Sequence, residues 1–418
     1  MKRYYFRVAA CGFLLIYCSF VVARICTQAN IFQWDFRSNY YVAKAYSAGL
    51  DPYNNRIVGE MAKTSMNTYN YPPLVFWFYI PFTFLDYNYA YQINMFLKCI
   101  VLIGLIYFWR KEFLGGDTDL FFYFLCLFGY RSAIYLDFRA GSIYLFELFL
   151  EWIAFSYFLR KRVALFCVFI VLASFIKITP LLFLFLLWFA EDKRKHLYFY
   201  GSLTVFLCVM AVSYASSPHL FERFVHNALS EIGAENGLIQ PSTFSLGKDI
   251  IHALADKMGV IEVQGIHWIA LIAIVVPVVA LSIRACNAVR SYRFPDKDKI
   301  IIFLACVVYA LILPRFKDYY CILLLVPTYF IVKRARHIKA YIPLIVLVIL
   351  PSILSTETPL PGFKRFISLL NILWEYHPLI VAYFVWGLYI FEILIAAREG
   401  IASAPQYNNR SNPLAGDL

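Results

Sequence analysis

The sequence has few charged residues for its length. Asp, Glu, Lys and Arg together make up 15% of the 418 residues, whereas hydrophobic types make up 61%. The mean hydropathy is +0.65. A soluble globular domain has about 25% charged and about 45–50% apolar residues. The charged fraction is too low and the apolar fraction too high for an ordinary soluble domain. The composition therefore predicts an integral membrane protein.

The sequence also lacks the spacings that mark zinc sites and disulfide frameworks. Its ten cysteines include no Cys-x-x-Cys pair, and nearly all of them lie within apolar stretches. Free cysteine in such a stretch commonly serves as a small hydrophobic residue. We therefore interpret the cysteines as packing residues.

Long apolar stretches recur along the whole chain. A helix needs about 20 residues to cross a bilayer. Twelve stretches approach that length, at 8–27, 89–109, 119–136, 142–159, 163–178, 179–191, 197–216, 266–286, 299–314, 318–333, 341–355 and 378–397. The first follows a basic start, as in a signal peptide, but no clear cleavage site follows it, so we interpret it as a retained helix. The predicted fold class is an all-α polytopic membrane protein.

Basic clusters set the predicted orientation. With twelve spans, six clusters fall on the same side as both termini, at 2–3, 110–111, 160–162, 193–195, 290–293 and 333–336. Because Lys and Arg are enriched in cytoplasmic loops, that side is predicted to be cytoplasmic. The net charge of +12 then reflects topology, and no nucleic-acid partner is expected. We expect a plasma (inner) membrane protein with both termini in the cytoplasm.

The apolar segment 71–87 is too short to span and contains three prolines, so we predict a helix in the outer interface. Two long segments then face outward, 28–88 and 217–265. We predict one transmembrane domain over 1–400 and a disordered cytoplasmic tail over 401–418. Because most residues outside the membrane face outward, the active site is expected to be extracytoplasmic.

The first outer segment carries a candidate catalytic acid, Asp35. Residues 35–48 suit a helix that ends at Gly49 and Pro52. One interpretation is an amphipathic interfacial helix with Asp35 as its N-cap. The other is that Asp35 is a general base, because a carboxylate can take a proton from an attacking hydroxyl.

Cations on the same predicted face favour the second interpretation. An ammonium beside hydrocarbon costs several kcal/mol unless it is paired, and Lys177 has no acidic residue near it in the sequence. A bound anion would satisfy it, although snorkelling to the interface is the alternative. Arg315 and Lys317 beside Asp318 could equally form a solvated surface cluster or a local ion pair. We predict that this anion is a phosphate of the substrate and that its ligands are Lys177, Arg315, Lys317, Arg37 and Arg139.

A lipid phosphate is an anion found at a bilayer face with an apolar tail beside it. Transfer of a sugar from such a phosphate needs a base for the acceptor hydroxyl and positive charge for the leaving group. Gln240 and Ser242, in the second outer segment, could bind sugar hydroxyls or could be ordinary loop residues. For the charges within the membrane, we predict contact between Lys98 and either Glu147 or Glu151.

A longer pattern in the first outer segment resembles a known family. The residues are Asp35, Tyr40, Ala43, Ala48–Gly49 and Pro52–Tyr53, followed by Tyr71–Pro72–Pro73. The pattern is similar to that of GT-C glycosyltransferases of family 87, and the resemblance extends through 176–188 and 312–327. It implies a GT-C fold with interfacial helices in the first outer loop, a catalytic aspartate at Asp35 and a phosphate ligand at Lys177. Tyr40, Tyr71 and Tyr319 are the aromatic residues expected to bind substrate.

The resemblance also implies the substrates. The donor would be a polyprenyl-phosphate sugar, mannose-like or a pentose, and the acceptor a hydroxyl of a glycolipid or glycan, with inversion at the anomeric carbon. The first outer segment has no Asp-x-Asp pair, so no metal and no cofactor are expected. Two alternatives stay open from the residues alone. One is an O-antigen polymerase or ligase, and the other is a lipid or solute transporter.

Overall fold

A computed structural model describes residues 33–116, 118–232, 239–258, 265–291, 296–334 and 374–398, with the isolated positions 12, 16, 19, 23, 237, 294 and 348. Within these residues the regular structure is helical and no β-strand occurs, so the all-α prediction is confirmed. The predicted spans 8–27 and 341–355 lie outside the described residues, apart from single positions, and so does the predicted tail 401–418.

The α-helices that the structure describes are α1 (Trp34–Ser47), α2 (Asn55–Ala62), α3 (Leu74–Thr83), α4 (Tyr87–Phe108), α5 (Leu120–Ala140), α6 (Tyr144–Leu159), α7 (Val163–Ile176), α8 (Lys195–Ser216), α9 (Pro218–Ser230), α10 (Thr243–Met258), α11 (Ile266–Ser291), α12 (Lys297–Ile312), α13 (Leu325–Arg334) and α14 (His377–Arg398). A π-helical turn, Trp109–Phe113, extends α4. Two 3₁₀ helices, Thr179–Phe189 and Asp318–Leu324, complete the described helices.

In the described part of the chain, five helices are long and apolar enough to cross a membrane: α4 with its π turn, α5, α8, α11 and α14. In α8 and α11 only 17% of the most apolar window is buried by the protein, so their remaining surface suits lipid. Other predicted spans correspond to shorter helices, of 16 residues in α6, 14 in α7 and 16 in α12. The total of twelve spans stays a prediction.

The first outer segment folds as a layer of short helices. The predicted helix 35–48 is α1, which packs against α3 within the predicted interfacial segment 71–87. The Phe36 ring lies 6.1 Å from the ring of Tyr79. The alternative that Asp35 caps α1 is wrong, because the N-cap position is Gln33 and Asp35 lies inside the first turn.

The predicted contact of Lys98 with Glu147 or Glu151 is wrong. Lys98 Nζ lies 2.6 Å from Asp137 Oδ2, and neither side chain is exposed. The same ammonium donates to the backbone oxygens of Asp137 at 2.8 Å and Ser142 at 2.9 Å. The end of α5 is therefore the better partner, because a helix C-terminus offers unpaired carbonyl groups as well as a negative dipole end.

This end of α5 also positions α1. The backbone N–H of Gln33, just before α1, donates to the carbonyl of Arg139 at 2.8 Å. Gly141, which follows α5 with φ +65°, lies against Phe36 on α1, so a Cβ at position 141 would lie 2.7 Å from Phe36 Cβ. Glycine is therefore required at 141 for two reasons, its left-handed backbone and the close approach of α1.

Replacing Gly141 with Ala should destabilise the protein more than replacing Gly49 with Ala. Gly49 also has a left-handed backbone, at φ +72°, but no atom lies within 4 Å of the Cβ it would gain. Gly49→Ala should cost about 1–2 kcal/mol from the backbone alone. Gly141→Ala should add the cost of displacing α1. Thermal unfolding of both purified variants measures the difference, and equal losses would contradict the proposed close contact.

Candidate functional site

Asp35 lies in the first turn of α1 with its side chain half-buried. Its Oδ2 atom accepts a 2.7 Å hydrogen bond from the hydroxyl of Tyr319. Tyr319 belongs to the buried 3₁₀ helix Asp318–Leu324, so this bond ties α1 to the helical core. Among the described residues no hydrogen-bond donor reaches the other carboxylate oxygen, Oδ1.

Residues 67–72 form a wall beside Asp35. Two hydrogen bonds to their backbone hold this wall in place. The hydroxyl of Tyr53 donates to the carbonyl of Tyr71 at 2.7 Å, and the amide of Asn227 on α9 donates to the carbonyl of Tyr69 at 3.0 Å. The wall is thus fixed from both outer segments.

The Tyr71 side chain faces this site as a neutral hydrogen-bonding group. Burial raises the pKa of Tyr71 well above its usual value, and the nearby Tyr320 and Asp35 act in the same direction. Its hydroxyl therefore stays protonated at every physiological pH. A phenol of this kind can donate a hydrogen bond to a hydroxyl or to a phosphate oxygen.

Lys177 follows the last residue of α7, with an extended backbone. Its Nζ lies 3.7 Å from the ring centroid of Tyr320, within the range of a cation–π contact. The buried Glu147 and Glu151 of α6 also interact electrostatically with it. The ammonium therefore has favourable surroundings within the protein, which the sequence spacing did not indicate.

Arg315 and Lys317 lie on the connection between α12 and the second 3₁₀ helix. The second outer segment fixes this connection, because Gln240 Nε2 and Ser242 Oγ both donate to the carbonyl of Pro314, at 3.1 and 2.8 Å. Gln240 and Ser242 are fully buried. Their observed contacts hold the backbone that carries the two cations.

One cavity of about 290 Å³ is lined by Asp35, Tyr71, Lys177, Arg315 and Lys317. The charged side chains that line it, among the described residues, are Asp35, Glu231, Lys177, Arg315 and Lys317. One part of the wall is polar and comprises Ser38, Asn67, Thr68, Asn70 and Tyr71, and another is apolar and comprises Ile176, Ile178, Phe224, Ala228, Leu229, Ile232 and Leu313. The cavity therefore combines a carboxylate, a cluster of cations, hydrogen-bonding groups and an apolar surface.

The structure separates the other predicted site residues from this lining. Arg37 lies over the ring of Tyr87 and Arg139 over that of Trp34, each at 5.9 Å. The hydroxyl of Tyr40 donates to the carbonyl of Leu85 at 2.7 Å, which anchors α1. Tyr319 acts on the site through Asp35. The phosphate-binding roles of Arg37 and Arg139 stay predictions. So do the substrate-binding roles of Tyr40 and Tyr319.

Among the lining residues that were missed from the sequence, three contact the predicted cations. Glu231, the residue after α9, forms an ion pair with Arg315, with Oε2 3.3 Å from Nη2. The side-chain amide of Asn70 also faces the Arg315 guanidinium. The ring of Tyr320 makes the cation–π contact with the Lys177 ammonium. No spacing signal could have linked Glu231 to Arg315, because 84 positions separate them.

The described residues offer no candidate metal site. Within the described part of the chain, no group of three or more His, Cys, Asp or Glu residues could hold a metal ion. The expectation that the protein uses no metal stays a prediction.

Comparison with known families identifies the class of protein. The sequence model of glycosyltransferase family 87 matches residues 69–314, which is more than half of the chain. The matched region includes Tyr71, Lys177 and Glu231, whereas Asp35 precedes it and Arg315 follows it directly. Comparison with curated proteins and with solved structures gave no significant match. The chain belongs to glycosyltransferase family 87, and it is a membrane glycosyltransferase.

Proposed function

We propose that this glycosyltransferase uses a polyprenyl-phosphate-linked sugar, mannose-like or a pentose, as its donor. The acceptor is a hydroxyl of a glycolipid or glycan at the extracytoplasmic face. The observation that carries the proposal is the shared cavity of Asp35 with Lys177, Arg315 and Lys317. A base for a hydroxyl and a cluster of cations for a phosphate are what such a transfer needs. The apolar wall suits the isoprenoid next to the phosphate.

In the proposed step, the acceptor oxygen attacks the anomeric carbon from the face opposite the phosphate. A bond from that oxygen to carbon forms as the bond from carbon to the phosphate oxygen breaks. The electron pair of the broken bond goes to the phosphate, beside Lys177, Arg315 and Lys317. The hydroxyl proton goes to Asp35. A single displacement of this kind inverts the configuration at the anomeric carbon.

A comparison of donors tests this proposal. The purified protein in lipid nanodiscs is given the same labelled sugar as a polyprenyl monophosphate, a nucleotide diphosphate or a polyprenyl diphosphate oligosaccharide. We expect transfer from the polyprenyl monophosphate alone. Transfer only from the diphosphate oligosaccharide would instead support a polymerase or ligase, and transport of the lipid without any transfer would overturn the proposal.

Replacing Lys177 with Gln should raise the KM for this donor by about tenfold or more, because a charge-assisted contact with phosphate is lost. Lys44→Gln is the matched control. Lys44 also lies over a tyrosine ring, that of Tyr40 at 5.8 Å, but it is exposed on α1 and does not line the cavity. Steady-state kinetics measure both variants. An unchanged KM in Lys177→Gln would remove this residue from the phosphate site.

Replacing Tyr319 with Phe should lower kcat by about tenfold to a hundredfold. The hydrogen bond that orients Asp35 is lost, and bonds to charged groups are worth about 1.5–3 kcal/mol. Tyr329→Phe is the control, because it removes a similar bond, from Tyr329 to Asp119 at 3.2 Å, away from the cavity. Since Tyr319 acts through Asp35, the KM for the donor should change little. Equal kcat values in the two variants would contradict the positioning role.

A further inference from the structure

The ion pair of Glu231 with Arg315 places a second carboxylate in the cavity that binds phosphate in the proposed function. The Glu231 and Arg315 side chains are only 17% and 18% exposed, so the pair is screened by solvent much less than a surface pair. A phosphate that approaches Arg315 must compete with the Glu231 carboxylate. Glu231 takes no part in the bond changes of the proposed transfer step.

The position of Glu231 is fixed by its surroundings. It directly follows α9, whose Asn227 donates to the carbonyl of Tyr69, and the buried Phe224 of α9 packs in a cluster with Tyr69. The carboxylate is therefore held at the cavity by the same helix that supports the tyrosine wall. A carboxylate that is built into a phosphate site needs a physical reason.

The net charge of the cavity, before and after sugar transfer, provides that reason. Among the described residues, three cations and two carboxylates line the cavity, whereas Glu147 and Glu151 are buried in α6 outside this lining. The lining groups therefore carry a net charge of +1. The donor is a phosphodiester of charge −1, which neutralises the cavity. Transfer moves a proton onto Asp35 and raises the cavity to +2, while the new phosphate monoester carries about −1.5 to −2 near pH 7. Both bound states are therefore close to neutral.

The bound product complex is no longer neutral once Asp35 loses its proton to solvent. The cavity returns to +1 and the product phosphate keeps a charge near −2, so the complex becomes negative overall. Without Glu231 the cavity would be +2 at that point and would hold the product in a neutral complex. We propose that Glu231 is a charge-balancing residue that weakens the binding of the polyprenyl-phosphate product and so promotes its release.

The inference rests on the proposed function and makes an unusual prediction, since loss of a cavity residue should tighten binding. Farnesyl phosphate is the probe for product binding, and farnesol is its uncharged counterpart. In Glu231→Gln, farnesyl phosphate should bind at least tenfold more tightly than in the wild type, with farnesol binding unchanged. Glu231→Asp keeps the charge and should return the affinity towards that of the wild type. Weaker or unchanged binding of farnesyl phosphate in Glu231→Gln would overturn the inference.

Glu60→Gln is the matched control. It removes another glutamate that pairs with an arginine in an outer segment, at 3.0 Å from Arg56, but both side chains of that pair are exposed. It should leave the affinity for farnesyl phosphate unchanged. Kinetics add a second readout, because Glu231→Gln should keep its single-turnover rate while steady-state turnover falls and product inhibition strengthens. A fall in the single-turnover rate with weaker product binding would assign Glu231 to orienting Arg315 and would overturn the inference.

Arg315→Gln separates failure of this inference from failure of the proposed function. If Arg315→Gln weakens farnesyl phosphate binding while Glu231→Gln does not tighten it, only the role of Glu231 is wrong. If neither the wild type nor any variant prefers farnesyl phosphate to farnesol, the cavity is not a phosphate site and both proposals fail. Thermal unfolding of each variant confirms that the compared proteins are folded.

Discussion

Replacement of Asp35 with Asn should nearly abolish sugar transfer, with a fall in kcat of about a hundredfold to ten-thousandfold. A positioned general base contributes about 10²–10⁴-fold to a rate, and an amide cannot take the proton of the acceptor hydroxyl. Asn has nearly the same shape as Asp and can still accept the hydrogen bond from Tyr319. The fold and the binding of the donor should therefore persist, and single-turnover transfer of the labelled sugar measures the loss.

Asp86→Asn is the control for this substitution. Asp86 is an exposed acid of the same outer segment that does not line the cavity. It should retain near wild-type transfer, and both variants should show the same thermal stability. Because Asp35→Asn removes a negative charge from the cavity, it should bind farnesyl phosphate at least as tightly as Asp86→Asn does. Transfer by Asp35→Asn at more than a few per cent of the wild-type rate would exclude Asp35 as the base, and the reaction would then need another proton acceptor.

Local physical patterns in the sequence were enough to anticipate the helix that carries Asp35. Its polar face and the residues that end it are local features, and the observed α1 matches the predicted helix within a residue at each end. The cations Lys177, Arg315 and Lys317 could be nominated because charge is scarce beside apolar stretches. The structure places all three with Asp35 around one cavity, although they are distant in the chain.

Pairing between distant side chains was much harder to predict. Lys98 was assigned to Glu147 or Glu151 because these acids also lie in an apolar helix. Its observed partner, Asp137, lies at the end of α5, where carbonyl groups add to the attraction. The contact depends on which helix end faces Lys98, and hydropathy does not encode that. Glu231 was missed for the same reason, since only the packing of α9 brings it to Arg315.

Replacing Lys98 with Met should cause the largest loss of stability among the substitutions considered. The change leaves the Asp137 carboxylate buried without its counter-charge, and breaking such a pair typically costs about 3–5 kcal/mol. It also removes the two hydrogen bonds that Lys98 donates to carbonyls at the end of α5. Because that end holds α1 in place, the loss should appear both in thermal unfolding and as reduced transfer by the protein that remains folded.

A second substitution in the same pair decides whether the buried charge causes this loss. Asp137→Asn added to Lys98→Met removes the uncompensated charge and should recover more than half of the lost stability, as a coupling energy in a double-mutant cycle. Lys111→Met is the control for loss of a lysine near the same helix; its side chain is exposed, so its effect should stay within about 0.5 kcal/mol. If the double variant is no more stable than Lys98→Met, the carbonyl hydrogen bonds stabilise this region and the charge pair contributes little.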